Sequence, residues 1–445
     1  MGLIARVEAA AETVEGASGL AHCGSEIEAL EGAAHDIEAT RFVVSDAELE
    51  AVKTGLQRIR SRTQEWMSIA CESEGKLDPG SLQTVRSADA SGRVIMDRIV
   101  EADPARSAWL PTPGAAFAGG SAKGDALEQL DILCAGVRTG DVLITRAPKL
   151  SSAGVAHFCA EGGQYSHTLV VSVEPDGVHV VAAYMEHGAT TQKLEDFLRE
   201  NHCCRIAVVR HVDGDLAEEV GRAAFRRIAH GPQVPYDDVF DSNDPGELYC
   251  SEIPRWAYGE LVGREPTLPR HPSPSGRRAR SAIHASIGVD VPWLCSPVDY
   301  LVDPNLRLVA EWRDPAAIQL MRRQDAAIEA PMRWIDQHDY VLSPQLLERL
   351  TVKLGLAIRR LPVLGMALQS VAGADIRPQF LLGSLTLLKV AGALLLELEA
   401  ELGDKTPTRQ AMAERLDSLR ERDLERWRRS PRRAVFHRWL HPASQ

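Results

Sequence analysis

A chain of 445 residues and 48.6 kDa exceeds what one ordinary core organises, so two or three domains are expected. Apolar residues at 44% and charged residues at 25% describe a soluble globular protein and exclude a disordered or collagen-like one. The 50 Lys and Arg against 62 Asp and Glu leave a net charge of -12, which excludes a general nucleic-acid binder with its basic face.

Residues 1–103 read as a helical region. Ser45 and Glu48 form a capping box, and Leu49, Val52, Leu56 and Ile59 follow at helical spacing. The region holds 19 acidic and 10 basic residues, the signature of a solvated acidic helical face. The first helix carries Glu8, Glu12 and Glu15 where a secretory signal needs a basic head and an apolar run. Cytoplasmic residence is therefore expected, peripheral to a membrane or exported by a route without a cleaved signal as the alternatives. Residues 104–136 read as a linker with a short helix, because Pro104, Pro111, Pro113, Gly114, Gly119, Gly120 and Gly124 cannot continue a helix. Lys123 stands out of place there for a phosphate-binding loop.

After Leu133 the pattern changes to strands at Val142–Thr145, His167–Val173, Val178–Tyr184 and Arg205–Val212. Pro175-Asp176-Gly177 marks a hairpin turn between two of them. Helices are expected at Leu194–Leu198 and Ala217–Ala229, which makes an α+β domain on an antiparallel sheet. The proline-rich stretch Arg264–Arg280 reads as an exposed loop, and the domain closes near residue 312. Residues 313–445 return to helix. Phe380–Leu396 is the most apolar stretch, interrupted by Lys389, and reads as a buried core helix with a membrane span as the alternative. From Arg426 onward come six Arg and no acid, interleaved with Trp427, Phe436 and Trp439; this tail suits either an anionic membrane surface or the acidic N-terminal helices.

The 8 cysteines are too few and scattered for a disulfide framework, and none has zinc-ligand spacing, so no metal or other cofactor is expected. Cys203-Cys204 reads as a buried pair ahead of a strand. Cys250, in Tyr249-Cys250-Ser251-Glu252, sits where a helix begins, since Pro254 suits a first turn. A thiol there feels the positive end of the helix dipole, which should depress its pKa, and the unpaired amides can bind an oxyanion. A histidine within reach would complete a nucleophile, and His167 heads a strand. Taken singly, a buried cysteine and a structural histidine are the commoner roles for these residue types.

The ordered segments Gly140-Asp141-Val142-Leu143, Tyr165-Ser166-His167-Thr168, Tyr236-Asp237 with Phe240, and Tyr249-Cys250-Ser251-Glu252 resemble the permuted NlpC-like, papain-like cysteine hydrolases of the YiiX-like branch. The block from Ser296 to Val309 is similar to the segment that closes that domain. The resemblance covers residues 137–312. It implies a circularly permuted papain-like fold flanked by all-α regions, with Cys250 as nucleophile and His167 as general base. It also implies Tyr165 and the Cys250 amide near the oxyanion, and Tyr249, Ser251 and Tyr236 lining the site. The third polar residue of the family falls here on Ala182-Ala183. Glu186, His187 and His179 are the candidates to replace it.

The implied chemistry is attack on an acyl ester or amide. Two features favour a lipid or membrane-associated substrate for a hydrolase or acyltransferase, namely the apolar Phe380–Leu396 stretch and the basic aromatic tail. A murein amidase or endopeptidase is the first alternative, and a non-catalytic binding scaffold the second. No nucleic-acid partner is expected, and the sequence carries no sign of the oligomeric state.

Overall fold

The computed structural model describes residues 3–16, 27, 30–32, 34, 44–74, 79–103, 109–111, 126–159, 163–259, 261, 284, 285, 288, 289, 294–359, 376–403, 405 and 407–443. The expected loop at 264–280 lies outside them.

The N-terminal region is helical as its periodicity demands. Helices α1 (Leu3–Gly16), α2 (Asp46–Glu74) and α3 (Pro79–Ala102) share a core of Val7, Val14, Val52, Ile59, Met67, Val85 and Ile95. The capping box starts α2: the Ser45 amide and hydroxyl each donate to Glu48 at 2.7 Å, and the Glu48 amide donates back to Ser45 Oγ at 3.4 Å. Two orphan amides at the helix start thereby find partners.

The central domain is α+β. Its strands are β1 (Trp109–Pro111), β2 (Val142–Arg146), β3 (His167–Glu174), β4 (Gly177–Tyr184), β5 (Gly188–Lys193), β6 (Arg205–His211) and β7 (Leu306–Arg313). They form one sheet in the order β1-β7-β6-β2-β3-β4-β5, with every neighbouring pair antiparallel. Among its helices, α4 (Leu130–Gly136), α5 (Leu150–Cys159), α6 (Leu194–Asn201), α7 (Gly214–His230), α8 (Ile253–Gly259) and α9 (Asp299–Val302) follow in chain order. Val142, Ile144, Val170 and Val181 face α7 and α8, whereas Leu143, Leu169, Val180 and Ala182 face α6 and α4. Because both faces are covered, β2 is buried at every position, and the chain there reads as a continuous apolar run rather than an alternation. Gly140 enters β2 at φ +89°, where a Cβ would lie 2.0 Å from the Ala217 carbonyl; only glycine admits this approach of α7.

The linker expectation needs correction at one place. Trp109–Pro111 is a strand, paired with β7 only. A three-residue edge strand ending in proline gives no period-2 signal, and the edge is where a residue without an N–H is tolerated.

The C-terminal region packs α10 (Ile318–His338), α12 (Pro378–Leu402) and α13 (Arg409–Arg429) with α5, around Trp334, Val390, Leu394, Leu398 and Leu416. Between them lie β8 (Tyr340–Leu342) and α11 (Leu346–Arg359), and the chain finishes with β9 (Leu440–Pro442) paired to β8. Helix α12 contains the expected Phe380–Leu396. By length and composition it could cross a membrane, yet Leu387, Val390, Ala391, Leu394 and Leu398 are buried in this core. Its Lys389 leaves the core to meet Glu348 of α11 at 2.7 Å. The basic tail lies neither on the N-terminal helices nor free. Asp423 of α13 accepts from the amides of Val435, Phe436 and His437 and from His437 Nδ1, while Trp439 Nε1 donates to Glu348 at 2.8 Å.

Candidate active site

Cys250 opens a single 3₁₀ turn, Cys250–Glu252, that runs directly into α8, with Pro254 in the first helical turn. This turn lies against the start of β3. The Thr168 hydroxyl donates to the Cys250 carbonyl at 2.6 Å, and Cys250 Sγ stands 3.8 Å from the Ser166 carbonyl, in the peptide that leads into His167. Cys250 and the backbone that leads into His167 thus meet at one end of β3, although 82 or more residues separate the bonded partners along the chain. Neither is hydrogen-bonded to the other. The His167 ring lies over Tyr184 at 5.2 Å and stacks near Phe197 at 6.0 Å, and its Nε2 is buried with no hydrogen-bond partner.

Burial dominates the electrostatics. It pushes the Cys250 thiol up to about 11, although the Ser251 hydroxyl and amide, the Cys250 amide and the Tyr236 hydroxyl pull the other way. The expected depression by the helix start is therefore overturned: a few amides at the head of a short turn do not offset the removal of water. The Ser251 hydroxyl is buried without a hydrogen-bond partner. Burial likewise lowers His167 to about 4. The resting pair is thiol and neutral imidazole.

Tyr236, which reaches the thiol, belongs to the segment 235–240. Gly188 makes room for it: at φ +75° its Cβ would meet the Val234 carbonyl at 2.2 Å, and the Ala189 amide donates to that carbonyl at 2.9 Å. Asp237 then accepts from the Val239 and Phe240 amides at 2.7 and 2.9 Å, holding Phe240 at φ +62°, a left-handed conformation rare for an aromatic residue. The Phe240 ring is seated among Phe158, Tyr249 and Phe380, 5.0 to 5.6 Å between centroids. Arg377, just ahead of α12, donates to the Asp238 carboxylate and to the Asp238 carbonyl. The C-terminal region thus clamps this segment from outside.

The remaining expected residues are distributed unevenly. Tyr236 is at the sulfur, and burial with the neighbouring thiols raises its hydroxyl well above the ordinary range. Tyr249 stands beside Cys250 in sequence but points away, bonded to Ser242 Oγ and to the Cys295 amide at 2.8 Å each. The Tyr165 hydroxyl donates to Glu311 on β7 at 2.8 Å, under Arg93 and Arg205, so it is committed away from any oxyanion at Cys250. Glu186 and His187 lie in the turn between β4 and β5; Glu186 is close enough to Tyr236 to raise it, and His187 packs on Tyr184 at 5.2 Å. His179 is engaged with Asp176 in the hairpin at 2.9 Å. Ala182 and Ala183 are buried opposite Thr190 and Ala189.

The chain matches no family model, no curated protein and no solved structure. The likeness to the permuted NlpC-like hydrolases is one of sequence motifs alone.

Sequence reasoning missed the Arg377–Asp238 clamp, the Phe240–Phe380 contact and the aromatic bed of His167, Tyr184 and Phe197. These pairs lie up to 140 residues apart, with no local pattern to announce them. The non-glycine left-handed position at Phe240 could have been suspected from Asp237, whose side chain caps such turns.

Proposed function

We propose that the protein is a cysteine acyl hydrolase or acyltransferase on a permuted papain-like domain. Cys250 is the nucleophile and His167 its base, and the substrate is a lipid or membrane-associated ester or amide. The observation that carries this reading is Cys250 at the head of a helical turn, 3.8 Å from the peptide carbonyl that precedes His167. Attack of Sγ on an acyl carbon forms the thioester as the alcohol or amine leaves with the proton taken by His167. Water or a second nucleophile then releases the acyl group. The amides of Cys250 and Ser251, which already favour the thiolate, are the donors available to the oxyanion.

In the resting state the thiol is covered and neutral, so turnover requires the 235–240 segment to lift. Water and substrate would then reach the pair, and the two pKa values would move toward each other. Neither the apolar stretch nor the tail that suggested a lipid is free, since α12 is a core helix and the tail is folded home. The lipid preference rests instead on Leu346, Leu347, Leu350 and Leu354, which α11 leaves exposed. One observation favours a second reading, a scaffold without chemistry: β4 carries Ala182 and Ala183, and His167 Nε2 has no hydrogen-bond partner.

The deciding experiment is mass spectrometry of the purified protein with mixed phospholipid vesicles and, separately, with muropeptides, Cys250→Ala running beside it. Release of fatty acid or lyso-lipid that vanishes in the variant is the expected result. Cleaved stem peptides with intact lipids would transfer the reading to a murein amidase or endopeptidase, and identical spectra for protein and variant in both arms would favour the scaffold.

A further inference from the structure

Helix α11 carries Leu346, Leu347, Leu350 and Leu354 at 73, 74, 56 and 62% exposure, values that four leucines on one short helix reach only where no described residue packs on them. At about 100° per residue all four fall within roughly 100° of arc. Glu348 lies about 100° beyond that arc, turned inward, where it accepts from Lys389, Trp439 and the Gln345 amide. Arg349 and Lys353 flank the leucines on the opposite edge, and both are exposed. On the neighbouring α12, Leu385 and Leu396 are 39 and 69% exposed and share a face with Lys389, by their spacing of four and seven residues. Val341 of β8, 40% exposed, and the exposed Arg438, stacked 3.9 Å over the Trp439 ring, extend the same surface at the start of α11.

We infer that this face is a docking surface for an anionic phospholipid bilayer, with the α11 leucines entering the acyl boundary while Arg349, Lys353 and Arg438 meet the headgroups. Charge decides the occupant. The chain as a whole is acidic at -12, yet between Leu346 and Arg359 it holds one acid, Glu348, which is already paired inward, against Arg349, Lys353 and Arg359. An anionic surface would be repelled by most of this molecule and attracted here. A basic flank beside a narrow leucine arc, with a partly buried Trp at its end, is the arrangement that lies in a headgroup plane rather than crossing it. The inference names the surface that the proposed lipid substrate would occupy and to that extent rests on that reading. It also places the bilayer at α12, whose N-terminal end holds Arg377 and Phe380 on the cover of Cys250.

The test is co-flotation of full-length Cys250→Ala protein with phosphatidylcholine vesicles, with and without phosphatidylglycerol. The parallel sample carries Leu346→Gln, Leu347→Gln and Leu350→Gln as well, and light scattering gives the mass of both. The expected result is flotation with phosphatidylglycerol vesicles only, weakened by high salt and lost in the triple variant, with both proteins monomeric. Exchanging Arg349 and Lys353 for Gln should lower partitioning by about fivefold per residue. All five side chains are solvent-exposed, and circular dichroism checks that the fold survives. Absence of flotation, or flotation indifferent to the leucines, overturns the inference. A dimer that dissociates in the triple variant also overturns it, assigning the face to a second copy. Because the thiol is already removed, failure of docking leaves the acyl chemistry standing, and an inert thiol leaves docking standing.

Discussion

Tyr165 and His167 stand two residues apart at the mouth of β3, the first fully and the second partly buried, yet they enter opposite kinds of interior. Tyr165 joins a cluster in which Glu311 meets Arg313 at 2.9 Å, Arg205 meets Asp97 at 2.5 Å, and Arg93 is paired with Asp89. Burial would push the Glu311 carboxyl up, but the guanidiniums of Arg313, Arg60, Arg93 and Arg205 outweigh it and hold the group at about 2. Burial without a charged partner shifts His167 down to about 4 and Cys250 up to about 11, so both rest neutral. Burial removes charge; only a partner in place before water leaves can keep it. The cluster joins α3 to β6 and β7 as a cement, whereas the thiol and imidazole are held in reserve behind a cover.

The sharpest way to break this contrast is Glu311→Gln. It strips one carboxylate from several buried guanidiniums and should cost about 3–5 kcal/mol in urea unfolding. A variant as stable as the parent would mean that the cluster is solvated. Next comes the pH profile, where the two regions separate. The depressed folded pKa of His167 means that the unfolded chain takes up the proton first. Stability should therefore fall by about 3 kcal/mol as pH drops from 6.5 to about 4, and His167→Phe should flatten that segment. The Glu311 contribution, also from a depressed pKa, is present above about 4.5 and is lost toward 2, so His167→Phe should leave the lower segment steep.

Arg377→Ala addresses the cover. It leaves the buried Asp238 carboxylate without its guanidinium, at about 1–3 kcal/mol. At pH 7.5 the parent's Cys250 should be alkylated more slowly than the exposed Cys134, and the variant should reverse that order in a peptide-mapped labelling series. Unchanged labelling would show that the clamp does not govern access to the thiol. The smallest effect is expected from Cys250→Ala, about 1 kcal/mol or less in stability. Loss of acyl release without loss of fold would mark Cys250 as a chemical rather than a structural residue.

Much of the fold was legible in the sequence because it is locally encoded. Ser45 with Glu48 announced α2, Pro175-Asp176-Gly177 announced the β3–β4 turn, and the apolar runs at 142, 167, 178 and 205 became β2, β3, β4 and β6. Cys250 at a helix start and His167 at a strand start were legible too, since Pro254 and the strand pattern place both. Tertiary structure alone decided the rest. It turned Tyr165 toward Glu311 and away from Cys250, drew Trp109–Pro111 into the sheet, folded the arginine tail onto Asp423 and Glu348, and tied the segment 235–240 to Phe380 and Arg377. The physical reason is range. Capping, turn chemistry and periodicity act within a few residues of chain, whereas desolvation and charge pairing depend on every group that arrives within a few ångströms, from wherever in the sequence it comes.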